Sequence, residues 1–82
     1  MARTNPPVTL FTTQWCGYCR RLKRQMDDAG IAYSEVDIDV ETHFGSRITA
    51  VTGGNRTVPT AEIEGRLLVN PTLEEVVVAV GG

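Results

Sequence analysis

Between Val8 and Leu22 the chain changes its hydrophobic rhythm, and both of its cysteines sit at the change. Val8-Thr9-Leu10-Phe11-Thr12 is short, β-branched and aromatic, which is the composition of a strand. From Gly17 onward, Cys19, Leu22, Met26 and Ala29 recur every three or four residues. Arg20, Arg21, Lys23, Arg24, Asp27 and Asp28 fill the other faces, so the segment reads as an amphipathic helix. A strand that feeds a helix through so short a connection commits the start of the chain to an α/β unit. Cys16 falls at the junction and Cys19 one turn further in.

The remaining segments extend this pattern. Gly30 is expected to end the first helix as its C-terminal cap. Ala32 to Ile38 returns to strand composition, with Val36 and Ile38 on one face and Glu35 and Asp37 on the other. Asp39 is expected to cap a second helix whose buried stripe is Phe44, Ile48 and Val51, ended by Gly53-Gly54. Thr60 to Glu64 and Arg66 to Val69 flank Gly65 as a hairpin, with Leu67 and Val69, or else Leu68, facing the core. Thr72-Leu73-Glu74-Glu75 is a capping box that opens a last helix with Leu73, Val76, Val77 and Val80 inward. The order is βαβαββα: the first two strands are parallel across a helical crossover, and the hairpin adds antiparallel strands.

Eighty-two residues, 41% of them hydrophobic, suit one small domain over 1–82, with 1–7 as a flexible lead. Eight basic residues against ten acidic ones leave no field that selects nucleic acid or an anionic membrane. The N-terminus runs into Pro6 and Pro7 without an apolar leader core, and no apolar run is long enough to span a bilayer. A cytoplasmic location is expected.

Three uses are open for the two cysteines: a structural crosslink, part of a metal site, or a redox pair. The cytoplasm is reducing, and disulfides there are usually transient and catalytic. A Cys16–Cys19 bridge would also close too short a loop to constrain the unfolded chain much. Zinc asks for four ligands, and one chain offers this pair and the single His43, which is expected to be an exposed helix residue. A metal or cluster shared between two chains stays open on that count. Two cysteines separated by two residues at a helix start project their sulfurs to the same side. Cys16 meets the free N–H groups and the positive end of the helix dipole, which stabilise a thiolate, so it is expected to be anionic and reachable. Cys19 faces the Leu22–Met26 side and is expected to be buried and protonated. Cys16 is then the nucleophile and Cys19 the resolving thiol. No dinucleotide or phosphate-loop glycine pattern is present, so no bound cofactor is expected and reducing power comes from outside.

The other residues near the motif have bland readings too. Trp15 is expected to anchor against the domain, as an aromatic before a helix start often does. Tyr18 lies between the cysteines where no apolar stripe calls for it, which favours a groove-lining position. Arg56, after a Gly-Gly-Asn loop, reads on its own as a solvated cation, and Thr72 as a helix cap. Pro59 at the first position of a strand is sterically allowed.

TTQWCGYC followed by a basic amphipathic helix, then GGNRTVPT, a hairpin and NPT, resembles the glutaredoxin family of the thioredoxin fold. Within that family the likeness is greatest to the mycoredoxins of bacteria that make mycothiol, and it runs from Val8 to Val80. The resemblance implies a thioredoxin-like α/β fold, a four-stranded mixed sheet flanked by three helices. It implies a cis Val58-Pro59 peptide against Cys16, and a Val58 backbone that pairs with the peptide-like part of an incoming thiol, together with Thr57 and Pro59. Tyr18 and Arg56 match positions bordering the small-thiol groove.

Two departures bear on the thiol. The lysine that glutaredoxins carry three residues before the nucleophile is Thr13 here, and their glycine-rich stretch before the last helix is Val69-Asn70-Pro71-Thr72. Both remove groups that hold the charged ends of glutathione. Thr13, Asn70 and Thr72 suit mycothiol instead, a cysteine derivative of a sugar-inositol. The expected activity is the reduction of mycothiol-capped proteins by a monomer, with mycothiol as reductant. Two alternatives remain: a dimer bridging an iron-sulfur cluster, favoured by Gly17 in place of the family's common proline, and a dithiol carrier reduced directly by a flavoprotein.

Overall fold

The computed structural model describes residues 7–55 and 57–81. The elements in chain order are β1 (Val8–Thr12), α1 (Gly17–Asp28), β2 (Ser34–Asp37), a 3-10 turn (Thr42–Phe44) continuing into α2 (Gly45–Thr52), β3 (Thr60–Ile63), β4 (Arg66–Val69) and α3 (Leu73–Ala79). The flexible lead expected over 1–7 lies, except for Pro7, outside the described residues.

The sheet order is β2-β1-β3-β4, with β1 parallel to β2 and antiparallel to β3, and β3 antiparallel to β4. This is the mixed four-stranded sheet that the element order demands. Because β1 is central, both of its faces are covered. Val8 and Leu10 join Leu22 and Met26 of α1 and Val76 and Val80 near α3 in the larger cluster. Phe11 points the other way and packs with Ile38 and Ile48, with Phe44, Val58 and Leu67 around them. Leu68 belongs to the first cluster and Leu67 to the second, so β4 contributes to both faces, while Val69 is exposed.

Helix ends follow local chemistry. Helix α1 is capped at Ala29, one residue before the expected Gly30, and Gly30 takes the left-handed position after it (φ 74°). Ile31 N–H then bonds the Met26 carbonyl at 2.9 Å and Gly30 N–H that of Asp27 at 3.1 Å, the paired bonds of a Schellman ending. In α3 both halves of the capping box form, Glu75 N–H to Thr72 Oγ1 (3.2 Å) and Thr72 N–H to Glu75 Oε1 (2.8 Å).

The second helix departs from expectation in two ways. Asp39 does not cap it: its N–H bonds the Asp37 carboxylate at 2.9 Å, and the helical turn begins after Glu41. Val51 is 55% exposed, because in so short a helix only Phe44 and Ile48, four apart, reach Phe11 on the sheet.

The core depends most on side chains with no solvent contact at all. Met26→Ala, which empties a fully buried site between α1 and the sheet, should lower unfolding free energy by about 2–5 kcal/mol, read as the change in a urea unfolding curve.

Candidate active site

The end of β1 and the start of α1 place the cysteines. After Thr12 the chain leaves the sheet, and Cys16 adopts an extended backbone (φ −85°, ψ 109°) as the N-cap of α1. Its sulfur occupies the place of a capping side-chain oxygen: Sγ accepts the Cys19 N–H at 3.1 Å. The turn before it is pinned by Cys16 N–H to the Thr13 carbonyl (3.4 Å) and by the Arg20 guanidinium to the Gln14 carbonyl (3.2 Å).

Opposite stands the segment before β3, where the Val58-Pro59 peptide is cis, as the resemblance implied. The Cys16 thiol donates to the Val58 carbonyl at 3.8 Å. Pro59 is buried, Thr57 and Val58 half-buried, and the Pro59 carbonyl accepts the Asn70 N–H at 2.8 Å, which ties this segment to the chain entering α3. Arg56 lies outside the described residues.

The expectation of a reachable Cys16 beside a buried Cys19 is corrected on exposure. Cys16 is 4% exposed, barely more open than Cys19 at 1%. The physical reason is the Val58 peptide, which packs across the thiol from the facing loop. The two cysteines remain distinct in surroundings. Burial pushes the Cys19 thiol from its ordinary value of 9.0 up to about 12, assisted by the neighbouring Cys16 sulfur and opposed by the Thr13 backbone and by Lys23.

Trp15 is also corrected. It is 73% exposed rather than packed on the domain, and its Nε1 donates to Asp39 Oδ2 at 3.2 Å, across the turn after β2. An indole with its polar edge paired at the rim leaves its apolar faces in water. Tyr18 is 71% exposed and lines a groove. Thr13 is buried, and its Oγ1 has no hydrogen-bond partner among the described residues. His43 is exposed, with its ring 4.2 Å from that of Phe44.

A groove of about 440 Å³ runs from Tyr18 and Pro59 to the start of α3. Tyr18, Arg21 and Gln25 of α1 line it with Asn70, Thr72 and Glu74 of the segment that opens α3, and Pro59 joins them. Tyr18, Pro59, Asn70 and Thr72 are thus brought together. Cys16 and Val58 adjoin this group through Pro59, and Trp15 lies on the β2 side, away from it. Arg21, Gln25 and Glu74 were missed by sequence reasoning. The signal was available, since Tyr18, Arg21 and Gln25 follow one another at three and four residues and so share a helix face. Among the described residues no three His, Cys, Asp or Glu side chains gather as a metal site requires.

The raised Cys19 value has a stability consequence. The folded state holds that proton more tightly than the unfolded chain, so its contribution is complete below about pH 9 and is lost as pH climbs from 9 towards about 12. The reduced protein should therefore lose unfolding free energy across that window, and Cys19→Ala should flatten the decline in urea titrations at successive pH values.

Comparison with known proteins matches this geometry. A glutaredoxin family model covers residues 8–68, which include both cysteines and Pro59. The chain is 47% identical over 70 residues to a glutaredoxin-like protein of Mycobacterium tuberculosis, covering 84% of this chain and 83% of that one. It is 38% identical over 71 residues to mycoredoxin 1 of Corynebacterium glutamicum, covering 85% and 87%. Among solved structures, the holo form of glutaredoxin C1 from a Populus hybrid superposes with a TM-score of 0.67 at 31% identity, covering 88% of this chain and 71% of that one. With its cysteine pair at a strand-to-helix junction facing a cis-proline, the chain belongs to the glutaredoxin family and is a thiol-disulfide oxidoreductase.

Proposed function

We propose that the protein reduces mixed disulfides between protein cysteines and a low-molecular-weight thiol, and that this thiol is mycothiol. The observation that carries the reading is the placement of Cys16 Sγ at the α1 N-cap, with a groove large enough for a small thiol opening at Tyr18 and Pro59. The likeness to mycoredoxin 1 supports mycothiol as that thiol. So does a groove lined at its far end by Asn70 and Thr72. The working compartment in this reading is the reducing cytoplasm, and the working species is a monomer; no helix among the described residues is long and apolar enough to cross a membrane.

In the first step the Cys16 thiolate attacks the small-thiol sulfur of the mixed disulfide. The protein thiolate leaves and a Cys16–small-thiol disulfide forms. For the sulfur to act, its weak hydrogen bond to the Val58 carbonyl is given up with the proton, and the Cys19 N–H remains as donor. The Val58 backbone is then free to pair with the incoming thiol, beside Thr57 and Pro59 in its cis form, with Tyr18 bordering the groove, Trp15 at the rim and Arg56 as a further contact. Thr13, whose carbonyl accepts the Cys16 N–H, belongs to the thiol-binding set in this reading.

Two routes complete the cycle. A second small thiol attacks the mixed disulfide, regenerating Cys16 and releasing the symmetrical small-molecule disulfide. Alternatively, Cys19 loses its proton and attacks Cys16 Sγ, expelling the small thiol and closing the internal bridge. Burial keeps Cys19 protonated near neutral pH, which slows its attack and favours the external thiol.

Turnover of a mycothiol-capped peptide tests each element. Cys16→Ser should abolish it, whereas Cys19→Ser should retain at least half of the wild-type rate at pH 7. Glutathione-capped and mycothiol-capped peptides turned over equally by the wild type would overturn the choice of thiol, and activity surviving Cys16→Ser would remove the nucleophile.

A further inference from the structure

The groove that leads away from Pro59 ends against the start of α3, and the chemistry there is unsuited to a carboxylate. A helix start binds an anion through its unpaired N–H groups. Here two of those donors are taken within the chain: Thr72 N–H donates to the Glu75 carboxylate at 2.8 Å and Glu75 N–H donates to Thr72 Oγ1 at 3.2 Å. The first turn also carries two acidic residues, Glu74 and Glu75, and Glu74 lines the groove itself.

The facing α1 wall supplies Arg21 with the neutral groups of Tyr18 and Gln25. Neither Arg21 nor Glu74 is ion-paired among the described residues, whose ion pairs are Lys23–Glu35 and Arg47–Glu62. An uncharged hydroxyl uses both walls, since it can donate to the Glu74 carboxylate while accepting from the Arg21 guanidinium. Amides such as Gln25 and Asn70 offer a donor and an acceptor each to neighbouring hydroxyls. Of the charges that line the groove, a carboxylate gains only from Arg21 and is repelled by Glu74, with Glu75 adding negative charge from the same helical turn. The ammonium of a γ-glutamyl end is attracted, yet it shares a carbon with its own carboxylate, and glutathione as a whole is negative.

We infer that the acidic, self-capped start of α3 repels carboxylate-ended thiols from the groove between Tyr18 and Thr72, and so selects a neutral, polyhydroxylated small thiol. Glu74 and Glu75 are specificity residues in this assignment; the reacting atoms stay with Cys16. The inference rests on this groove being where the small thiol lies.

The test uses the full-length protein with peptides capped by glutathione, by mycothiol and by 2-mercaptoethanol, the last having no end group to reach α3. The double variant E74Q/E75Q removes both charges, and glutamine at position 75 still completes a capping box. Its kcat/KM for the glutathione-capped peptide, divided by that for the mercaptoethanol-capped one, should rise about threefold to tenfold over wild type, the scale of partly screened like-charge repulsion. In the wild type, added salt should raise the same ratio, and the variant should lack that salt response. A ratio unmoved by substitution and by salt would overturn the inference. Should the variant not fold, the wild-type salt series decides alone. A wild type that turns over the mycothiol-capped peptide no better than the glutathione-capped one would count against mycothiol itself, and the variant ratio would still report on repulsion at α3.

Discussion

A hydrogen bond of 3.1 Å, from the Cys19 N–H to Cys16 Sγ, joins the chemistry of this protein to its fold. It exists because Cys16 keeps the extended backbone of a residue leaving a strand while the next residue is already helical. The sulfur therefore caps the helix, receiving a donor that would otherwise be unpaired and facing the positive end of the peptide dipoles. β1 lies between β2 and β3, so this helix start is held over the middle of the sheet, opposite the loop that precedes β3. The cis peptide at Val58-Pro59 brings the Val58 carbonyl to the same sulfur.

Two flanks open from that point, and they differ. Towards β2, Trp15 stands at the rim with its indole N–H bonded to Asp39. Towards β4, Tyr18 borders a groove of mixed polar and apolar lining that continues past Pro59 to the start of α3. The Asn70 N–H to Pro59 carbonyl bond links the cis-proline to the far end of that groove, so the segment facing Cys16 and the start of α3 are tied through backbone. The capping box that starts α3 stabilises a helix rich in valine, which is poor at holding itself. The same bonds occupy two of the N–H groups an anion would seek.

Much of this was legible from residue order. The strand over Val8–Thr12, the helix from Gly17, the hairpin around Gly65 and the Thr72–Glu75 capping box each rest on interactions between residues a few positions apart, which periodicity and turn chemistry report directly. The misreadings share a cause. Val51 continued a helical stripe but found no sheet beneath it, Asp39 had the composition of a cap and instead became the partner of Trp15, and Trp15 had the size of a core residue and lies at the rim. Each outcome was set by a neighbour distant along the chain. Arg21 was read as an outer-face charge, Glu74 only as part of the capping box and Gln25 not at all, because a groove between two helices appears in neither helix taken alone.

The order of residues by itself determined that this chain has two thiols at a helix start, one in the capping position and one turned towards the apolar stripe, because that depends only on spacing along a helix. Only the tertiary structure decided how open those thiols are and what lies beside them. The Val58 segment, more than forty positions away, covers Cys16 almost as fully as the core covers Cys19, and solvent access depends on whatever packs opposite.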